Sequence, residues 1–196
     1  MKIFRVLVSL WAALLAVACY PVTTAVPVGT SAGFAADPNL AGLWRAEMAQ
    51  SDNETVYFHF LPMEDGSFKV VIVSGGEKLG GEWNVVRVTE SNLGGRNFLN
   101  AEMVFSNGKK EAPSSRGTVP LLYRTESDGR LTLFLISDDA AKGAIQRGDV
   151  AGTIEPGDFG DVKITAEADD LDKYLGSDDG AALFTQKFAT LTKMDQ

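Results

Sequence analysis

Cysteine and histidine are nearly missing from this chain: its 196 residues contain one of each. A single thiol excludes an internal disulfide and any cysteine-rich zinc site. A single imidazole leaves little room for a His-ligated metal or a histidine base. Cationic excess is missing too. Lys and Arg total 18 against 26 Asp and Glu, a formal charge of −8, which argues against binding nucleic-acid phosphates, because that requires clustered basic residues. Beyond the first twenty residues no apolar run approaches 18 residues, so no later segment reads as a membrane-spanning helix. What is there is an ordinary 45% of hydrophobic residues, which excludes wholesale disorder. At roughly 150 residues per domain the length allows one domain.

The first twenty residues carry a compartment signal. Met1-Lys2-Ile3-Phe4-Arg5 is basic, and Val6 to Ala18 is 13 residues without a charge. A helix of that length spans about 20 Å, short of the roughly 30 Å of bilayer hydrocarbon, so the segment reads as a cleaved secretory signal. Its end, Leu14-Leu15-Ala16-Val17-Ala18-Cys19, resembles the lipobox of bacterial lipoproteins. There an aliphatic residue and two small ones precede a cysteine that receives diacylglycerol, and the resemblance implies lipidation of Cys19. It departs from the strongest form at Ala16, where leucine is preferred. Ala16-Val17-Ala18 also fits an ordinary A-x-A cleavage site, and the alternative is a secreted or soluble periplasmic protein that starts at Cys19. That protein would expose a free thiol in an oxidising compartment. Tyr20 follows the cysteine in place of the aspartate that retains enteric lipoproteins in the inner membrane. The resemblance therefore implies the periplasmic face of the outer membrane.

Residues 20–36 carry no charge, two prolines, two glycines and four Ser/Thr, with no sustained period. They are expected to be a flexible tether with a reach of about 24 Å. The chain thus divides into a signal peptide (1–18), a lipidated Cys19 with its tether (19–38) and one β-rich domain (39–196). Removing residues 1–18 takes away Lys2 and Arg5 and no acid, so −8 becomes −10. Anionic lipid surfaces are expected to repel such a domain.

From residue 39 onward, short alternating runs separated by turn residues predict about nine strands, the last over 184–193. Phe98–Phe105 alternates cleanly, and Ser127-Asp128-Gly129 closes a hairpin between two apolar runs. Two short helices are predicted near the C-terminal end, one from Ser137 to Gly148 and one over Asp169–Leu175. The fold class is all-β and mainly antiparallel, a barrel or a sandwich; closure removes exposed edges and favours the barrel. Gly42-Leu43-Trp44 on the first strand is similar to the G-x-W motif of lipocalin-like barrels, whose tryptophan closes one end. Small envelope lipoproteins of uncharacterised function carry such barrels. Two features depart from the lipocalin pattern: both helices precede the final strand, and Lys187 and Lys193 stand where a closing arginine is usual.

Motifs with catalytic precedent lack their context. Gly29-Thr30-Ser31-Ala32-Gly33 matches G-x-S-x-G but has no strand before it and no helix after it. His59, within Tyr57-Phe58-His59-Phe60, has no partner identifiable in sequence. The acidic clusters at 138–139, 158–161, 169–172 and 178–179 do not match calcium-loop spacing, and they read as helix-start acids and turns. Residues 74–81 are Gly-rich without Gly-Lys-Ser/Thr. Residues 106–117 place Lys109, Lys110 and Arg116 together in an acidic protein, a contact point for an acidic partner. The aromatic and apolar set Trp44, Phe58, Phe60, Trp83, Met103, Phe105 and Phe134 is expected to fill a barrel interior or line a cavity for an apolar small molecule. The expected function is a non-catalytic, membrane-anchored binding module with no cofactor, metal or nucleic acid. The alternatives are an accessory subunit that binds an envelope protein and, further off, a hydrolytic enzyme.

Overall fold

The computed structural model describes residues 21–30, 33–34, 36–49, 51–75, 82–110, 117–156 and 160–194, with backbone alone at 51–54. Eight strands close into one antiparallel barrel of lipocalin-like architecture: β2 (Gly42–Met48), β3 (Ser51–Pro62), β4 (Phe68–Gly75), β5 (Trp83–Leu93), β6 (Arg96–Ser106), β8 (Val119–Thr125), β9 (Leu131–Leu135) and β12 (Gln186–Lys193). Each pairs with the next in that order, and β12 returns between β9 and β2 to shut the ring. A two-residue strand, β7 (Lys109–Lys110), lengthens β6 at its edge. The alternation in β2 to β5 follows from one face meeting the core and the other meeting water. Trp44 and Ala46 are buried while Arg45 and Glu47 are exposed, and Phe58, Phe60, Val70, Val86 and Val88 face inward likewise.

In β6 and β8 the alternation fails, and topology explains why. An insert between β9 and β12 packs on their outer faces, so Phe98-Leu99-Asn100 and Pro120 to Tyr123 are buried on both sides. The insert contains α1 (Asp138–Arg147), β10 (Gly152–Ile154), β11 (Val162–Ile164), α2 (Ala168–Leu175) and α3 (Asp178–Ala181). Ser137 caps α1, its side chain accepting from the Ala140 amide, and Gly148 ends it in the left-handed conformation. α3 arises where only an acidic turn was expected, and Phe184, expected to open the last strand, instead packs edge-on against Phe98 at 5.5 Å.

Residues 21–30 correct the expectation of a tether. Thr23–Thr24 forms β1, parallel to β11, and Val22, Thr24 and Val28 are buried. Thr24 and Thr118 exchange backbone hydrogen bonds of 2.8 and 2.9 Å. The Val28 amide donates to Asn100 Oδ1 at 2.7 Å, and its carbonyl accepts from Asn100 Nδ2 at 2.9 Å and from the Ser91 hydroxyl at 2.7 Å. The Gly29 amide donates to Asp172 Oδ1 at 2.6 Å. This segment is held through its backbone by polar side chains from distant strands and from α2. Such attachment leaves no apolar period to read.

One end of the barrel is plugged. A 3-10 turn, Pro38–Leu40, leads into β2, with Leu40 fully buried and the Trp44 indole N–H donating to its carbonyl at 2.8 Å. Lys193 covers this end: its Nζ lies 5.3 Å from the Trp44 ring centroid and donates to the Asn39 carbonyl at 2.8 Å. Lys193→Ala should destabilise the fold by about 1 kcal/mol, the sum of a surface cation–π contact and one hydrogen bond. Thermal unfolding should fall by roughly 2–4 °C. An unchanged melting temperature would show that Trp44 needs no cation over it.

Candidate functional site

The seven residues expected to line one pocket occupy four places. Trp44, Phe58 and Phe60 are in the barrel interior, each at most 5% exposed. Phe60 meets Phe68 edge-on at 5.9 Å, and these rings belong to one continuous core with the aliphatic residues of all eight strands. An eight-stranded barrel is just wide enough for its side chains to fill, and these large rings take up the plugged half. Toward the other end burial relaxes. Met48, Ile72, Ala101, Val119, Leu135 and Phe188 pack on the core while half-buried, and Met103, across from inward-facing Val86, is 43% exposed. The described residues at the mouth of the barrel are therefore apolar.

Trp83 and Phe105 lie outside. β8 pairs with β6 only over Asn97–Ala101, so the later part of β6 and the facing part of β5 continue past it as a raised wall. The outer face of that wall holds a groove of about 410 Å³ bordered by Met63, Lys69, Trp83, Val85, Arg87 and Phe105. Val73, opposite Trp83 in register, and Trp83 are 43% and 40% exposed. Asp65 fixes the groove's polar rim. It accepts from the Ser67 hydroxyl and amide and from Arg87 Nη2 at 2.9 Å. These hydrogen bonds, those from Ser67 first, lower its pKa to about 2, so it is ionised at any physiological pH. Phe134 is on the far side, packed with the insert and covered by the Arg124 guanidinium at 5.0 Å.

One interior pair carried no sequence signal. Glu90 is 6% exposed and faces the core, where its carboxylate accepts from the Tyr123 hydroxyl and, at 2.5 Å, from the Asp37 amide. Burial, with the adjacent Glu90 carboxylate, pushes the Tyr123 hydroxyl far above its ordinary pKa, so it stays a donor. Glu90 thereby ties the chain just before the 3-10 turn to the inner wall. Alternation places residue 90 inward, but nothing local reveals a donor thirty-three residues away.

His59 is half-buried on the outer face of β3, between Leu43 and Val71 in register. Among the described residues no group of three His, Cys, Asp or Glu is placed to hold a metal ion. Cys19 and Ser31 lie outside the described residues, as do most of the Gly-rich loop and residues 111–116. No family model, curated protein or solved structure matches this chain.

Proposed function

We propose that this chain is an envelope lipoprotein, anchored through Cys19 at the periplasmic face of the outer membrane, that works as a non-catalytic binding module for an apolar small molecule. The groove on the raised wall carries the reading. At about 410 Å³ it lies within the range of small-molecule sites. Its lining is mostly apolar, with Lys69, Asp65 and Arg87 at the rim to orient a polar end. The interior aromatics supply rigidity, and the mouth adds a second apolar surface beside the wall. The non-catalytic reading is supported by His59, whose register neighbours on the outer face of β3 are Leu43 and Val71.

Two measurements test this. Cys19→Ala should abolish acyl labelling in cells and release the protein from the membrane fraction; retained partitioning would sink the anchor. For the groove, the displacement of a fluorescent naphthylamine dye from the purified Cys19→Ala chain is measured. Trp83→Ala and Phe105→Ala should each weaken binding about tenfold, as expected for buried aromatic anchors. Equal affinity in both variants would remove the groove as the site.

A further inference from the structure

We infer that the outer face of the raised wall is a membrane seat, fitted to a bilayer containing anionic phospholipid. The protein is acidic as a whole, at −8 over the full chain, yet this face is not. Lys69, Arg87, Lys109 and Lys110 project from it or its tip; Asp65 is paired to Arg87 at 2.9 Å, Glu102 stands opposite Arg87 in register, and Glu64 and Glu82 lie at its margins, so its described charges balance and the cations gather at the tip beside Trp83. Between the cations lie the exposed Val73 and Trp83 and the half-buried Val71, Val85 and Phe105. A Cβ at Gly108, in the turn that joins β6 to β7, would stand 3.5 Å from the Trp83 ring, which places the ring beside the turn that leads to Lys109 and Lys110. An indole flanked by lysines on an apolar ground suits the water–hydrocarbon boundary, with the ring among the acyl carbonyls and the ammonium groups among the phosphates. The opposite outer face, on the first part of β6 and on β8 and β9, is covered by the insert.

The first described segment packs with the insert, yet it reaches the edge of this face. Thr24 is fixed beside Thr118, and the Thr118 hydroxyl lies 3.5 Å from Glu102 on β6, one strand from Trp83. Cys19 is five residues earlier, so full extension allows it about 17 Å from Thr24. With residues 21–30 folded against the barrel, an anchor there holds the body close to the headgroups, without the 24 Å leash a free tether would give. This orientation rests on the lipoprotein reading, whereas the lipid affinity of the wall does not.

The test uses the acylated protein and the Cys19→Ala chain, each with vesicles of phosphatidylcholine alone or with one quarter phosphatidylglycerol, carrying brominated acyl chains. After residue 18 the chain has two tryptophans. Trp44 is 3% exposed in the core, so Trp83→Phe gives the background emission. Trp83 should be quenched and blue-shifted on the anionic vesicles in both proteins. Lys109→Glu with Lys110→Glu should weaken partitioning of the Cys19→Ala chain about thirtyfold or more. If acyl labelling succeeds and Trp83 of the acylated protein stays unquenched on those vesicles, the seat is overturned and the lipoprotein reading stands. If labelling fails while Trp83 of the Cys19→Ala chain is quenched, the anchor falls and the seat stands. Partitioning unchanged by the double lysine reversal overturns the anionic preference.

Discussion

Gly29→Ala is expected to lower the melting temperature by roughly 8–16 °C, the equivalent of about 4 kcal/mol for a domain of this size. Two independent penalties combine. Gly29 has φ of +84°, a conformation that disfavours any side chain by about 1–2 kcal/mol. A Cβ built there would lie 2.3 Å from both Cβ and Oγ of Ser91, and overpacking of that kind adds about 1–3 kcal/mol. The clash also strikes the Ser91 hydroxyl that holds the Val28 carbonyl, so the clasp on residues 21–30 should loosen. Differential scanning calorimetry checks the shift. Adding Ser91→Gly to Gly29→Ala should relieve the clash and leave the backbone penalty together with the loss of the hydroxyl's bond to the Val28 carbonyl. A melting temperature unmoved by Gly29→Ala would mean that this segment does not contribute to the cooperative fold.

Tyr123→Phe should be nearly as damaging, at about 3 kcal/mol, because it leaves the buried Glu90 carboxylate with the Asp37 amide as its remaining donor described here. Combining it with Glu90→Leu should recover part of the loss, and that non-additivity distinguishes a stranded charge from lost packing. The wild-type pair also sets an alkaline limit. The Tyr123 hydroxyl has its pKa raised in the fold above an ordinary value of 10.0, by burial first and then by Glu90. Its contribution is complete below pH 10 and is lost as pH rises above 10 toward the folded value. Denaturant unfolding from pH 8 to 11.5 should therefore show the wild type losing its advantage over Tyr123→Phe above pH 10. A constant difference across that range would contradict the assignment.

The barrel was legible in the sequence where strands have one wet face. Trp44 to Glu47 alternates because one side of β2 meets water, and the Asp128-Gly129 turn is specified by its own residues. β1 and β10 were not legible: at two or three residues each they have no period, and they exist because the insert and the N-terminal segment share one outer core, whereas β11 shows its alternation in Val162, Lys163 and Ile164. The tether reading failed for a related reason. Asn100, Ser91 and Asp172, sixty to more than a hundred residues away, satisfy the amides of residues 28 and 29 and the Val28 carbonyl, and such pairing leaves no local trace. For the candidate site, the right residue types were visible but not their grouping. Register divides Phe58 and Phe60 from Trp83 and Phe105, and a β-bulge at Val85/Val86 separates Phe105 from Met103.

The place of β12 in the ring has a consequence for how the chain reaches this state. β2 and β9 are joined only through β12, and Leu191, near the end of the chain, pairs with both Ala46 and Leu131. Until those last residues emerge, a chain made or exported from its N-terminus carries seven barrel strands with two open edges, and the insert waits between them. Loop closure over some 145 residues must precede the final ladder, the slow and aggregation-exposed kind of step in β-rich folding. Lys193, resting on Trp44, is then among the last side chains of the barrel to arrive, and it sets over a tryptophan on the first of the barrel strands.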